Sequence, residues 1–221
     1  AAMYRVPAGS HPDYPAVDVL VAALRAAPQG RLHRALVQKG LASSTWAWER
    51  AMHDPGFVVF GAGLGKQASL EAARDALLAV LESLGREPLS AEEVERARLQ
   101  LLNEMEKMQI DGRSYLSALG EFHAIGDWRL FFLYRDRLKE LTVADVNRVA
   151  ATFLRPANRV LGLFVPADAP ERAEIPPAPD LKQALAGYRG SKTVDAGEAF
   201  DPSPRNIEAR VQRRTLANGI K

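Results

Sequence analysis

Two hydrophobic periods alternate along the chain. Met3-Tyr4-Arg5-Val6-Pro7 reads as a short strand. Pro15 then opens a helix with Val17, Leu20, Val21 and Leu24 on one face, the three-to-four spacing of an amphipathic helix. Pro28-Gln29-Gly30 breaks the pattern, and Arg31 to Lys39 predicts a second short helix capped by Gly40. In Ala42 to Arg50, Trp46 and Trp48 stand two apart and so share one face of a strand. Phe57 to Phe60 is a continuous apolar run, as in a strand buried on both faces. The turn His53-Asp54-Pro55-Gly56 between these runs predicts a hairpin.

The middle of the chain reads as helix. Ser69 starts one with Leu70, Ala73, Leu77, Leu81 and Leu84 inward. Ser90-Ala91-Glu92-Glu93 has the spacing of a capping box, in which the Ser oxygen accepts from the Glu93 amide and the Glu reaches back. Val94, Ala97, Leu101, Met105 and Met108 then form a stripe over four turns. Further helices are expected at Arg113 to His123, at Trp128 to Leu138 and after Thr142, with a last strand at Val160 to Val165. The order is strand, helices, hairpin, helices, strand. It predicts an α+β two-layer sandwich resembling a split βαβ unit: a sheet of about four to five strands with helices packed on one face.

Residues 1–165 make up that domain. Residues 166–205 hold seven of the fourteen prolines and few apolar periods, so they are expected to form an extended linker with one short helix at Leu181 to Tyr188. Residues 206–221 resume a strand pattern at Arg210 to Leu216, and Asn218-Gly219 is a strong hairpin turn. A turn so close to the last residue, and a strand so close to the first, lead to the expectation that both ends are cut from a longer chain.

Composition narrows the picture by exclusion. Of 221 residues, 47% are hydrophobic and 25% charged, ordinary values for a protein with a packed core. The 29 basic and 27 acidic residues leave a formal charge of +2, which gives no electrostatic reason for nucleic acid or an anionic membrane as partner. The absence of cysteine removes disulfides, thiolate metal sites and cysteine nucleophiles together. No apolar run approaches a membrane span, and Ala1 to Gly9 has no signal-peptide pattern.

Candidate chemistry is sparse. His11, His33, His53 and His123 are the only histidines, and no two stand at the spacing that puts a pair of imidazoles on one helix face for a metal. Glu49 with His53 and His123 with Asp127 are acid–imidazole pairs four apart, supplying two ligands at most. Ser43-Ser44-Thr45 lacks the context of a strained nucleophile elbow. Gly61 to Lys66 lacks phosphate-loop spacing, with Gln67 where the hydroxyl belongs. Gly56 to Phe60 faintly echoes an RNA-binding strand, but no basic residue stands beside it. The Met105–Met108 pair and the Trp128 to Phe132 cluster read as core, and Glu92 to Glu95 as a solvated helix start suited to the dipole.

The residues nevertheless resemble a family. His11-Pro12-Asp13-Tyr14-Pro15-Ala16, then Gly30-Arg31-Leu32, then Lys39-Gly40-Leu41-Ala42 look like the second structural repeat of the insulinase-like (M16) zinc metallopeptidases. Glu92 to Arg98, Gly126 to Arg129, Thr142 to Val146 and Arg214 to Lys221 fit the same order. The resemblance implies a parent of two facing halves that enclose peptide, each half made of two α+β repeats. The family's H-x-x-E-H zinc motif does not occur here, so the zinc and its repeat are expected upstream, with no metal, catalytic residue or cofactor in this chain. The family's substrate-binding Arg and Tyr fall, by alignment on Gly40-Leu41-Ala42, on Leu36 and Ser43, neither of which can do that work. The resemblance thus implies a non-catalytic, chamber-forming lobe, with the zinc-bearing repeat, the second half and a peptide as partners. The alternatives are a lobe of an inactive homologue serving as a partner subunit and an unrelated α+β binding module. A periplasmic location is implied by exported relatives alone.

Overall fold

The computed structural model describes residues 1–167, 169, 171–190, 197, 200–215, 217 and 219. These fall into two units, Ala1–Pro166 and Ala167–Lys221.

The first unit is built on a four-stranded antiparallel sheet. Strand β1 spans Ala2–Val6, β2 Ser44–Arg50, β3 Gly56–Gly63 and β4 Arg159–Leu161, in the order β2-β3-β1-β4. β3 returns from the β2 hairpin and inserts between β2 and β1, which is the split βαβ arrangement. The strand expected at Val160 to Val165 is found at Arg159–Leu161, with Ala2 facing Leu161 and the Gly162 amide donating to the Ala1 carbonyl at 2.8 Å. β3 is also not covered by helices on both faces. Val58 and Phe60 point to the helices, while Val59 lies on the opposite face, paired in register with Trp48 and Met3.

Six helices follow the order read from the pattern: α1 Tyr14–Arg25, α2 Leu70–Ser83, α3 Ala91–Ile110, α4 Gly112–Ile125, α5 Leu130–Glu140 and α6 Val143–Phe153. Their starts are set chemically. Ser69 and Ser90 accept from the amides three residues on, and both Ser90–Glu93 and Thr142–Asp145 close capping boxes. The Glu93 carboxylate of α3 also takes Arg31 in a two-point pair, Nε to Oε1 and Nη2 to Oε2, each 2.8 Å. That guanidinium and the capping amide together hold Glu93 down to about 2.

Helix α1 packs against β2, α3, α5 and α6, so every residue of it except Asp18 and Arg25 is buried. The spacing of Val17, Leu20, Val21 and Leu24 predicts one apolar face; in the fold the helix is enclosed on all sides. The core runs from Tyr4, Phe60 and Leu24 through Leu36, Leu81 and Phe131 to Leu138. Side chains of this size contribute about 1.5–3 kcal/mol each on burial.

Arg31 to Lys39 is helical but not uniformly so. His33–Val37 is a single π-helical turn, after which the Leu36 carbonyl accepts both the Leu41 and Ala42 amides, at 2.8 and 3.1 Å. Gly40, at φ +70°, supplies the left-handed residue this ending needs.

The second unit contains two short helices, α7 Leu181–Leu185 and α8 Pro204–Arg210. Where a strand is expected to begin at Arg210, that residue instead ends helix α8. Ser203 caps α8 by accepting from the Asn206 amide, Pro204 occupies its first turn, and Val211 to Thr215 pair with no strand. Leu216 and Asn218, and with Asn218 the expected Asn-Gly turn, lie outside the described residues.

Candidate functional site

The sheet packs against α1, α2, α6 and the π turn at His33–Val37, and the register places Trp46, Trp48, Val59 and Met3 together on its other face. Alternation along the strands decides what that face carries. On β2, Ala47 is buried while Trp46 and Trp48 remain 40% and 43% exposed. The register sets Trp46 opposite Gly61 and Trp48 opposite Val59. Gly61 leaves room for the Trp46 ring, which a Cβ at that position would strike. Trp48 meets Phe57 edge to face at 5.4 Å. Met3 on β1 and Val160 on β4 continue the apolar surface, with Arg5 and Arg50 at its margin.

The two positions that the resemblance equates with substrate-binding groups are apart from this surface chemistry. Leu36 is fully buried in the π turn and belongs to the core. Ser43 is exposed, but its Oγ and its amide both donate to the Gly63 carbonyl, at 2.9 and 2.8 Å, closing the end of the hairpin.

The histidines are dispersed. His11 Nδ1 accepts from the Asp13 amide in the turn before α1, and His33 lies in the π turn. His53 sits 3.7 Å from Asp54 in the β2–β3 turn rather than on Glu49. Asp127 takes Arg129, not His123, through Nε at 2.9 Å and Nη2 at 2.6 Å. Among the described residues no three His, Asp or Glu side chains converge as metal ligands would.

One polar cluster was not read from sequence as a cluster, although Glu49 was singled out there as a partner of His53. Asp18 projects from α1 and Glu49 from the helix side of β2, toward α5, where the Tyr134 hydroxyl donates to Asp18 Oδ2 at 2.7 Å. Both residues retain partial exposure, yet Asp18 Oδ1, Glu49 Oε2 and the Tyr14 hydroxyl are closed to solvent and have no hydrogen-bond partner. Burial, reinforced for Asp18 by the neighbouring Glu49 charge, raises both carboxyls above their ordinary values. Tyr14 and Tyr134 are raised for the same reasons, desolvation first. The sequence signal was Asp18 itself, the only acid in an otherwise apolar helix, four residues after Tyr14.

An antiparallel split-βαβ sheet backed by helices, with part-exposed tryptophans on its other face, defines an α+β two-layer lobe. The Peptidase M16 inactive domain matches residues 1–101. The inactive peptidase domain of a proposed zinc protease from Bordetella parapertussis is 40% identical, with a TM-score of 0.72 over 79% of this chain and 93% of that one. A proposed zinc protease from Bordetella pertussis Tohama I is also 40% identical, with a TM-score of 0.70 over 75% and 92%. A Helicobacter pylori protease shares the fold at 23% identity and TM-score 0.67, over 72% of this chain but 38% of its own length. No curated protein matches the sequence significantly. The chain belongs to the M16 peptidase family, as an inactive-domain member.

Proposed function

We propose that this chain is a non-catalytic lobe of a zinc metalloendopeptidase and that the open face of its sheet forms part of the wall of the peptide chamber. The observation that carries the reading is the row Trp46, Trp48 and Phe57 on an uncovered sheet face. Aromatic groups of this kind contact extended peptide over a large area at small entropic cost. The chemistry of hydrolysis resides on partners: a zinc-bearing repeat and a second half. Leu36 and Ser43 have no role in substrate binding, the first being core and the second a hairpin clasp.

In the assembled peptidase, replacing Trp46 and Trp48 together by Ser is expected to raise KM for a fluorogenic peptide by about tenfold with kcat little changed. An unchanged KM in an intact assembly overturns the chamber-wall reading. The chain alone is expected to hydrolyse no peptide; chelator-sensitive turnover by it overturns the non-catalytic reading. A periplasmic location, supported only by resemblance to exported bacterial relatives, is tested by osmotic-shock fractionation. No helix among the described residues is long and apolar enough to cross a membrane.

A further inference from the structure

The Asp18–Glu49 cluster opens on a cavity of about 410 Å³ between α1, β2, the β2–β3 turn, α4 and α5. Its walls are of two kinds. Met52, Phe122 and Ile125 supply apolar surface, and Asp18, Glu49 and Tyr14 supply oxygen. A buried carboxylate oxygen without a donor is costly, and such a group is retained where something pairs with it. Here three acceptors, Asp18 Oδ1, Glu49 Oε2 and the Tyr14 hydroxyl, are left without one on the lining of a single cavity.

We propose that this cavity binds one primary ammonium group on an apolar stem, a lysine side chain or a free alkylamine, against Asp18 and Glu49. An ammonium carries three N–H donors around a point charge, matching three separate acceptors. A guanidinium fits less well, because its planar fork takes both oxygens of one carboxylate and Asp18 Oδ2 already accepts from Tyr134. A metal lacks a third ligand among the described residues. The apolar walls suit the aliphatic stem of the amine.

The surrounding charges favour a cation. Asp18 on α1, Glu49 on β2 and Glu121 on α4 line the cavity, against Arg50 and His53. Arg25 on α1 and Glu104 on α3 act on Glu49 from outside the cavity, and the Arg25 guanidinium donates to the Ala47 carbonyl. The burial that raises the two carboxyls also gives the site a pH signature. A bound ammonium favours their charged forms, so binding displaces protons to the buffer and weakens as the carboxyls protonate.

The test is calorimetric titration of the whole chain with n-pentylamine, n-pentanol and Nα-acetyl-lysine-N-methylamide, at about pH 8 and about pH 5. The amine is expected to bind saturably at the higher pH with proton release, to bind more weakly at the lower pH, and to outcompete the isosteric alcohol. Saturable binding of the lysine derivative as well assigns the site to a polypeptide side chain; binding of pentylamine alone assigns it to a free amine. Asp18→Asn and Glu49→Gln are each expected to weaken amine binding by about tenfold or more. The proposal is overturned by equal binding of the alcohol, by unchanged affinity in both variants, or by no saturable amine binding up to about 10 mM. The alcohol and pH comparisons on the unaltered chain decide the matter even where a variant fails to fold.

Discussion

Asp18 shows how much one side chain depends on its surroundings. In the unfolded chain it titrates near the ordinary carboxyl value of 3.8; in the fold, burial and the nearby Glu49 raise it. The sign of the linkage follows. Below about 3.8 both states hold the proton; above it the unfolded state loses the proton first, so stability falls as pH rises until the folded-state value is passed, and then levels off. Asp18→Asn is therefore expected to be neutral in acid, stabilising at neutral pH, and to flatten that decline, as read by denaturant unfolding at a series of pH values. Leu36 makes the opposite point. The family resemblance equates it with an Arg, but its side chain is fully buried in the core. Leu36→Arg is expected to destabilise by roughly 3 kcal/mol or more, because a cation would be enclosed without a partner, and to create no peptidase activity in a chain with Ser43→Tyr added.

Among the elements, α3 is the one most firmly fixed at its start. Ser90 and Glu93 exchange capping bonds, and Arg31 ties Glu93 to the segment before the π turn while donating to the Pro88 carbonyl at 2.8 Å. Glu93→Ala removes the reciprocal cap and both charge-assisted bonds, with an expected cost of about 2 kcal/mol. That contribution is present in full above the unfolded value of 4.5 and is lost as pH falls through about 2, so the variant and the parent chain converge in strong acid. The capping box was legible because S-A-E-E is a local signal, readable without knowing what the helix packs against. Arg31 as partner of Glu93 was not, since 62 residues separate them. Helix α8 was missed although Ser203-Pro204 is an ordinary start signal, because the proline-rich composition through residue 205 reads as extended linker.

For the molecule as a whole, the hydrogen bonds and packing that define the first unit close within residues 1–166, including the Asn158 amide bridging the Arg5 and Phe153 carbonyls at 2.8 Å each. A chain ending at Pro166 is expected to unfold cooperatively, with a Tm within about 3 °C of the longer chain in differential scanning calorimetry. A large drop or a broadened transition would show that residues 167–221 contribute to that core. The same closure explains why the sheet's second face matters: the unit satisfies its own core using one face, leaving Trp46, Trp48 and Phe57 for another surface.

By itself the sequence determined the order of elements in the first unit, the hairpin between β2 and β3, the caps of α2 and α3, and the lack of a metal-binding histidine pair. These are set by interactions among residues close along the chain, so spacing alone reveals them. The tertiary structure alone decided that α1 is enclosed on all sides, that β3 is covered by helices on one face only, and that Asp18, Glu49, Tyr14 and Tyr134 share one cavity. Each depends on neighbours supplied by distant segments, and a hydrophobic period records that a position is buried without recording what lies against it.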